Sequence, residues 1–202
     1  MDLWVEERRC RAAGHILICG ADEAGAGPLA GPVYAGAVIL PEGLELKGLN
    51  DSKQVTEKNR ERLFDEIRAR AVAWSVASVD ERTIDEINIL NARLLAMERA
   101  IEGLDPAPDY ALIDGNRDKG ISFPHETLVK GDGRSASIAA ASILAKVSRD
   151  RYMVELAERY PQYRFEQHKG YPTKLHYEML DAYGPSPVHR KSFLKKWEAR
   201  QR

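Results

Sequence analysis

Apolar residues gather along this chain in short runs that end on charge, with amphipathic stretches between them. The run from Ile16 to Asp22 has the length and continuous hydrophobicity of a buried strand, and Val33 to Leu40 has the same character. The segment joining them is too long for a two-residue hairpin turn. Val72 to Val79 alternates loosely and predicts a third strand, Tyr110 to Asp114 a fourth, and Thr127 to Lys130 a fifth. Elsewhere the period lengthens. Thr56 is placed to cap a helix whose stripe is Leu63, Phe64 and Ile67. Thr83-Ile84-Asp85-Glu86 reads as a capping box opening one long helix through Ile87, Leu90, Leu94, Leu95, Met97 and Ile101, ended by Pro106 and Pro108. From Ser135 a run of Ser and Ala predicts a helix packed tightly on the sheet, continuing through Tyr152 and Leu156 towards Pro161. The remainder reads as short helices and turns.

Strands interleaved with helices predict an α/β or α+β sheet domain over residues 1–160, with a helical C-terminal extension over 161–202. A chain of 202 residues can hold such a domain around one core. Lys and Arg number 30 against 31 Asp and Glu, a balance that excludes neither an enzyme nor a nucleic-acid binder. The stretch from His189 to Arg202 is strongly basic, with Glu198 its single acid. Cys10 and Cys19 offer no disulfide framework and no metal spacing, which suits a reducing cytosol. No apolar run is long enough to span a bilayer, and Glu6-Glu7-Arg8-Arg9 stands where a signal peptide needs an apolar core. The expectation is a soluble cytoplasmic protein with no membrane partner.

Charge placement changes the picture. Asp22 and Glu23 end the first strand, Asp114 ends the fourth, and Asp132 lies just past the fifth. Strand exits are where ligand sites gather in open α/β sheets. Any one of these acids is explained as a turn former, since Gly115 and Gly133 follow two of them. Four in the same pattern point instead to hard divalent cations, and two such ions about 3.5–4 Å apart can clamp an in-line phosphoryl displacement. Directly after Asp22-Glu23 the loop Ala24 to Pro32 carries very little side chain, so a bulky phosphate backbone can approach it.

Other phosphate chemistries fit less well. There is no Gly-x-x-x-x-Gly-Lys-Ser/Thr, and Gly25-Ala26-Gly27 leads to Pro28 rather than into a helix. His125, His168, His176 and His189 lack zinc spacing.

The ordered strings of the chain resemble type 2 ribonuclease H (ribonuclease HII) along nearly its whole length. They are Asp22-Glu23-Ala24-Gly25 with Gly27 to Val33, Leu49 to Lys53, Asp85 to Leu90, Leu112 to Asn116, Val129 to Asp132, Ala140 to Val147 and Gln167 to Thr173, with His189 to Phe193 similar to the closing motif. The resemblance implies a ribonuclease H-like mixed five-stranded sheet flanked by helices. It also implies cleavage of RNA paired with DNA, and incision 5′ of single ribonucleotides embedded in duplex DNA, leaving 3′-hydroxyl and 5′-phosphate ends. Carried over by motif, Asp22, Glu23, Asp114 and Asp132 are the catalytic acids binding Mg²⁺ or Mn²⁺, and Tyr171 stacks on the sugar at the RNA–DNA junction. The backbone of Gly25, Ala26 and Gly27 is placed to sense the 2′-hydroxyl, which both donates and accepts hydrogen bonds. Lys53, Ser142, Lys146, Arg190 and Ser192 are candidate phosphate contacts; for the two lysines and Arg190 an ordinary solvated charge explains the sequence nearly as well. The expected partner is nucleic acid, and the expected state a monomer.

One position departs from the pattern: Ala26 stands where the resemblance leads to Gly-Arg-Gly. Three rivals follow. The chain could bind hybrids with catalysis weakened or lost, cleave hybrids without junction recognition, or hydrolyse small phosphate esters. The four acids weigh against the first, since a pure binder has no use for mutually repelling carboxylates.

Overall fold

The computed structural model describes residues 2–201. Its elements are α1 (Val5–Ala12), β1 (Ile18–Ala24), β2 (Val33–Ile39), α2 (Glu57–Arg70), β3 (Ala73–Val79), α3 (Glu81–Ile87), α4 (Ile89–Glu102), β4 (Tyr110–Asp114), β5 (His125–Leu128), α5 (Ala136–Arg159), α6 (Phe165–His168), α7 (Lys174–Tyr183) and α8 (Lys195–Glu198). One five-stranded sheet has the order β3-β2-β1-β4-β5. β1, β2 and β3 form an antiparallel meander, and β4 and β5 run parallel to β1 and to each other. Alternation along β1 sends Cys19 and Ala21 to the face covered by α4, while Ile18 meets Ile138 of α5 on the other. The result is three layers, with the sheet between α4 and the pair α2 and α5.

The small residues of α5 have a steric reason. A Cβ added at Gly20 would lie 2.2 Å from the Ile138 nitrogen, and one at Gly36 would lie 2.5 Å from the Ala141 carbonyl oxygen. Helix backbone therefore rests almost directly on β1 and β2, which places the α5 N-terminus beside the β1 exit.

Two expectations need correction, and one element is new. The long helix opened by Thr83 is two helices. Asp80 caps α3 by accepting from Thr83 N at 2.9 Å, and Asn88, at φ +65°, breaks the run and caps α4 by accepting from Leu90 N and Asn91 N. The fifth strand is His125–Leu128, because Lys130 adopts a left-handed conformation and starts the turn that carries Asp132. Helix α1 was not anticipated. Its Glu7 is buried, accepting from Ser135 Oγ at 2.6 Å and Ser137 N at 2.9 Å, so its carboxylate serves the positive end of α5. The Ser135 start of α5 and the Thr56 cap of α2 agree with the sequence pattern.

The chain beyond residue 160 returns to the Ala24–Pro32 loop. Leu29 N donates to Gly170 O and Arg190 N to Leu29 O, both at 2.8 Å, and Ala30 forms an isolated bridge with His189. Among the described residues no helix is long and apolar enough to cross a membrane.

Candidate active site

Asp22 and Glu23 leave β1 on opposite faces of the sheet. Asp22 shares the α5 face with Asp114, since Ala21 pairs with Ile113 one step earlier in the parallel β1–β4 register. Asp114 Oδ1 accepts from Gly131 N at 2.6 Å, which ties the end of β4 to the turn bearing Asp132. Glu23 points to the α4 side, where Arg93 Nη1 lies 3.3 Å from its Oε1. Its other oxygen is buried without a partner.

Burial, then the nearby charges of Glu23, Asp114 and Asp132, push the Asp22 carboxyl well above the usual range. Burial also raises Glu23, against the pull of Arg93. Asp132 is raised to about 6 by burial and by the neighbouring Asp51 and Asp114. Lys53 is the cation set among these acids. Burial works against its charge, yet Asp51, Asp22, Asp132 and Asp114 outweigh that and hold its pKa above the ordinary value. Asp51 also accepts from Lys53 N, shaping the loop that delivers the lysine.

Such a cluster is unstable fully ionised without added positive charge. An all-oxygen donor set with an orphaned buried oxygen fits a hard divalent cation. Among the described residues no three Asp, Glu, His or Cys side chains close into a cage around one point. The acids thus offer a partial, open set whose remaining positions suit water and phosphate oxygens.

A cleft of about 190 Å³ opens beside them, lined by Asp22, Glu23, Ala24 to Gly27, Ser52, Lys53, Lys146 and Tyr171. Tyr171 is 37% exposed, and its ring lies 5.7 Å from both Lys146 Nζ and the Arg149 guanidinium carbon. Lys146 is steadied by Asp150 at 2.8 Å. Gly27 is exposed, and a Cβ added there would meet nothing within 4 Å, whereas a Cβ at Gly25 would sit 2.0 Å from Arg149 Nε.

The candidate residues therefore divide. Gly25, Ala26, Gly27, Lys53, Lys146 and Tyr171 share one cleft with Asp22 and Glu23. Asp114 and Asp132 neighbour Asp22 without lining the cleft, and three others stand apart from it. Ser142 is buried within α5 and donates to Ala139 O at 2.8 Å, so it cannot meet a phosphate. Arg190 is fully buried behind the loop, donating to the carbonyl oxygens of Gly25, Ala26 and Gly31 at 2.7–3.1 Å. Ser192 is exposed but held away from the cleft by Asp85, which accepts from its hydroxyl at 2.5 Å and from its backbone N–H.

Arg149, unremarked in the sequence, is the second buried clamp, donating to Pro32 O, Ala30 O and Lys169 O. Two guanidiniums thus satisfy carbonyls that a glycine loop cannot satisfy within itself. Arg93 and Asp51 were also missed. Each belongs to an otherwise ordinary polar string, and only the fold brings it to the acids.

The mixed sheet, with carboxylates at the exits of its central strands, is a ribonuclease H-like fold. The sequence profile of the ribonuclease HII family matches residues 19–196. The ribonuclease HII of Caldicellulosiruptor bescii is 54% identical over 189 residues, covering 94% of this chain and 92% of that one. That of Dechloromonas aromatica is 55% identical over 177 residues, covering 88% and 90%. The crystal structure of the ribonuclease H2 from Pyrococcus horikoshii superposes with a TM-score of 0.75 at 28% identity, covering 92% of this chain and 98% of that one. The chain belongs to the ribonuclease HII family, and is a divalent-metal-dependent ribonuclease of the class that cleaves the RNA strand of RNA:DNA hybrids.

Proposed function

We propose that this enzyme, besides cutting hybrids, incises DNA duplexes 5′ of single embedded ribonucleotides, leaving 3′-hydroxyl and 5′-phosphate ends. The observation that carries the reading is one cleft in which bare loop backbone, Tyr171, Asp22 and Glu23 adjoin. Asp22, Glu23, Asp114 and Asp132 would hold Mg²⁺ or Mn²⁺. Bound there, such ions would supply the positive charge needed by a water nucleophile and by the departing 3′-oxygen. With the Gly25 and Ala26 carbonyls turned to Arg190, the backbone amides of Gly25 to Gly27 meet the 2′-hydroxyl, and Tyr171 stacks on the sugar beside it. Lys53 and Lys146 border the same cleft and steady the phosphates without reading sequence. Residues 161–202 contribute Tyr171 and brace the loop, and the protein acts as a cytoplasmic monomer.

The test is a labelled DNA duplex with one ribonucleotide, run beside an RNA:DNA hybrid with and without Mg²⁺ or Mn²⁺. Nicking 5′ of the ribonucleotide that needs the metal and vanishes in Asp114→Asn is expected. Cleavage of the hybrid alone would overturn the junction reading.

A further inference from the structure

Beneath Tyr171 three histidines are buried together. His168 and His176 stack with ring centroids 4.2 Å apart, and His189 lies 5.2 Å from His176. All three surround Phe165 at 5.7–5.8 Å. The hydrogen bonds fix their tautomers. His189 Nδ1 is 3.0 Å from Ser186 N, a group that only donates, so the His189 proton is on Nε2. That Nε2 faces His176 Nε2 at 3.0 Å. His176 Nδ1 is 3.0 Å from Tyr171 O, a group that only accepts, so its proton is on Nδ1 and its Nε2 is free to accept from His189. The relay has one consistent direction: Ser186 to His189, His189 to His176, His176 to Tyr171. His168 works in parallel, accepting from Gly170 N at 3.2 Å and donating to Tyr163 O at 2.8 Å.

Both branches touch the backbone of Gly170-Tyr171, the first ending on Tyr171 O and the second starting from Gly170 N. Gly170, at φ +82°, has a further tether, since its carbonyl accepts from Leu29 N of the glycine loop at 2.8 Å. His189 bridges to Ala30 of the same loop. The histidine pair therefore joins the loop to the main chain carrying the stacking ring.

The geometry points to His176 and His189 as positioning residues that set the Tyr171 ring against the glycine loop and so govern selection of the ribonucleotide junction. They touch no substrate and act through the Tyr171 carbonyl. Neutral rings are required throughout, because an extra proton on either would set N–H against N–H in a buried space. Burial keeps them neutral, depressing His176 to about 4 and His189 to about 3. The inference rests on the stacking role proposed for Tyr171.

The first experiment is NMR on the intact protein with ¹⁵N-labelled histidine. Opposite tautomers are expected, Nδ1–H for His176 and Nε2–H for His189, with a ¹⁵N–¹⁵N coupling across the bond. Matching tautomers would overturn the relay. The second is a double-mutant cycle on single-ribonucleotide duplex. His189→Leu is expected to lower kcat/KM about tenfold, through KM, and His189→Gln, which keeps a donor near the Nε2 position, to recover most of it. With Tyr171→Ala already present, His189→Leu should cost no more than twofold. An equal loss in both backgrounds would make the pair merely structural and sink the inference. A Tyr171→Ala enzyme with full junction activity would instead sink the stacking role itself.

Discussion

Arg190 Nη2 donates to the carbonyl oxygen of Gly25 at 2.7 Å, although 165 residues separate the two. Its fork also serves Ala26 and Gly31. A lysine at that place has no planar fork and cannot reach all three carbonyls. Arg190→Lys is expected to lose about 2–4 kcal/mol of stability, because buried carbonyls are left unpaired. Urea unfolding measures this, and a loss below about 1 kcal/mol would contradict the clamp.

The two outer glycines of the Gly25-Ala26-Gly27 string should respond differently. Gly25 is at φ +94° with Arg149 against it, so Gly25→Ala should displace the clamp and cost both stability and activity. Around Gly27 there is open space. Gly27→Ala is expected to melt within about 0.5 kcal/mol of the parent, while binding single-ribonucleotide duplex several-fold more weakly. Comparable melting losses in the two variants would show that the loop is not anchored as described.

Ala26 is half-buried, and its carbonyl is held by Arg190, so the backbone there is fixed without a long side chain. Ala26→Arg adds a cation beside the nucleic-acid cleft and should raise single-ribonucleotide cleavage several-fold, with a steeper dependence on salt. Unchanged rate and affinity would show that only backbone matters at this position.

Asp132 has a raised pKa in the folded state, so that state holds its proton more tightly than the unfolded one. The contribution is stabilising below about pH 4 and is lost as pH rises through about 6. Above that range the ionised carboxylate opposes folding. Asp132→Asn should therefore be inactive yet more stable at pH 7.5 by about 1–2 kcal/mol, with the gain absent at pH 4. Mn²⁺ should stabilise the parent more than the variant. Thermal melts at the two pH values, with and without the ion, decide the matter.

The strands most visible in the sequence were those buried on both faces. Ile16 to Ala21 and Val33–Ile39 are nearly continuous apolar runs, and the Thr56 and Ser135 caps are local hydrogen-bonding devices. The break at Asn88 was not visible, since Ile87, Leu90 and Leu94 keep helical spacing across it. Nor was α1, whose Glu6 and Glu7 look solvated until Arg134, Ser135 and Ser137 are brought to them from over 120 residues away. The acids of the candidate site could be read because strand exits are a feature of the chain's own pattern. The arginines could not, because charge alone does not tell a phosphate contact from a residue buried against carbonyl oxygens.

The Arg190 clamp also orders events in time. During synthesis the residues carrying all four acids are made well before Arg190. Until that late segment folds back, the carbonyls of Gly25 and Gly31 lack the partner that fixes the loop. A contact this distant in sequence must await synthesis of its C-terminal partner before its loop can close. A chain still emerging from the ribosome, among newly made RNA, is therefore an unfinished nuclease.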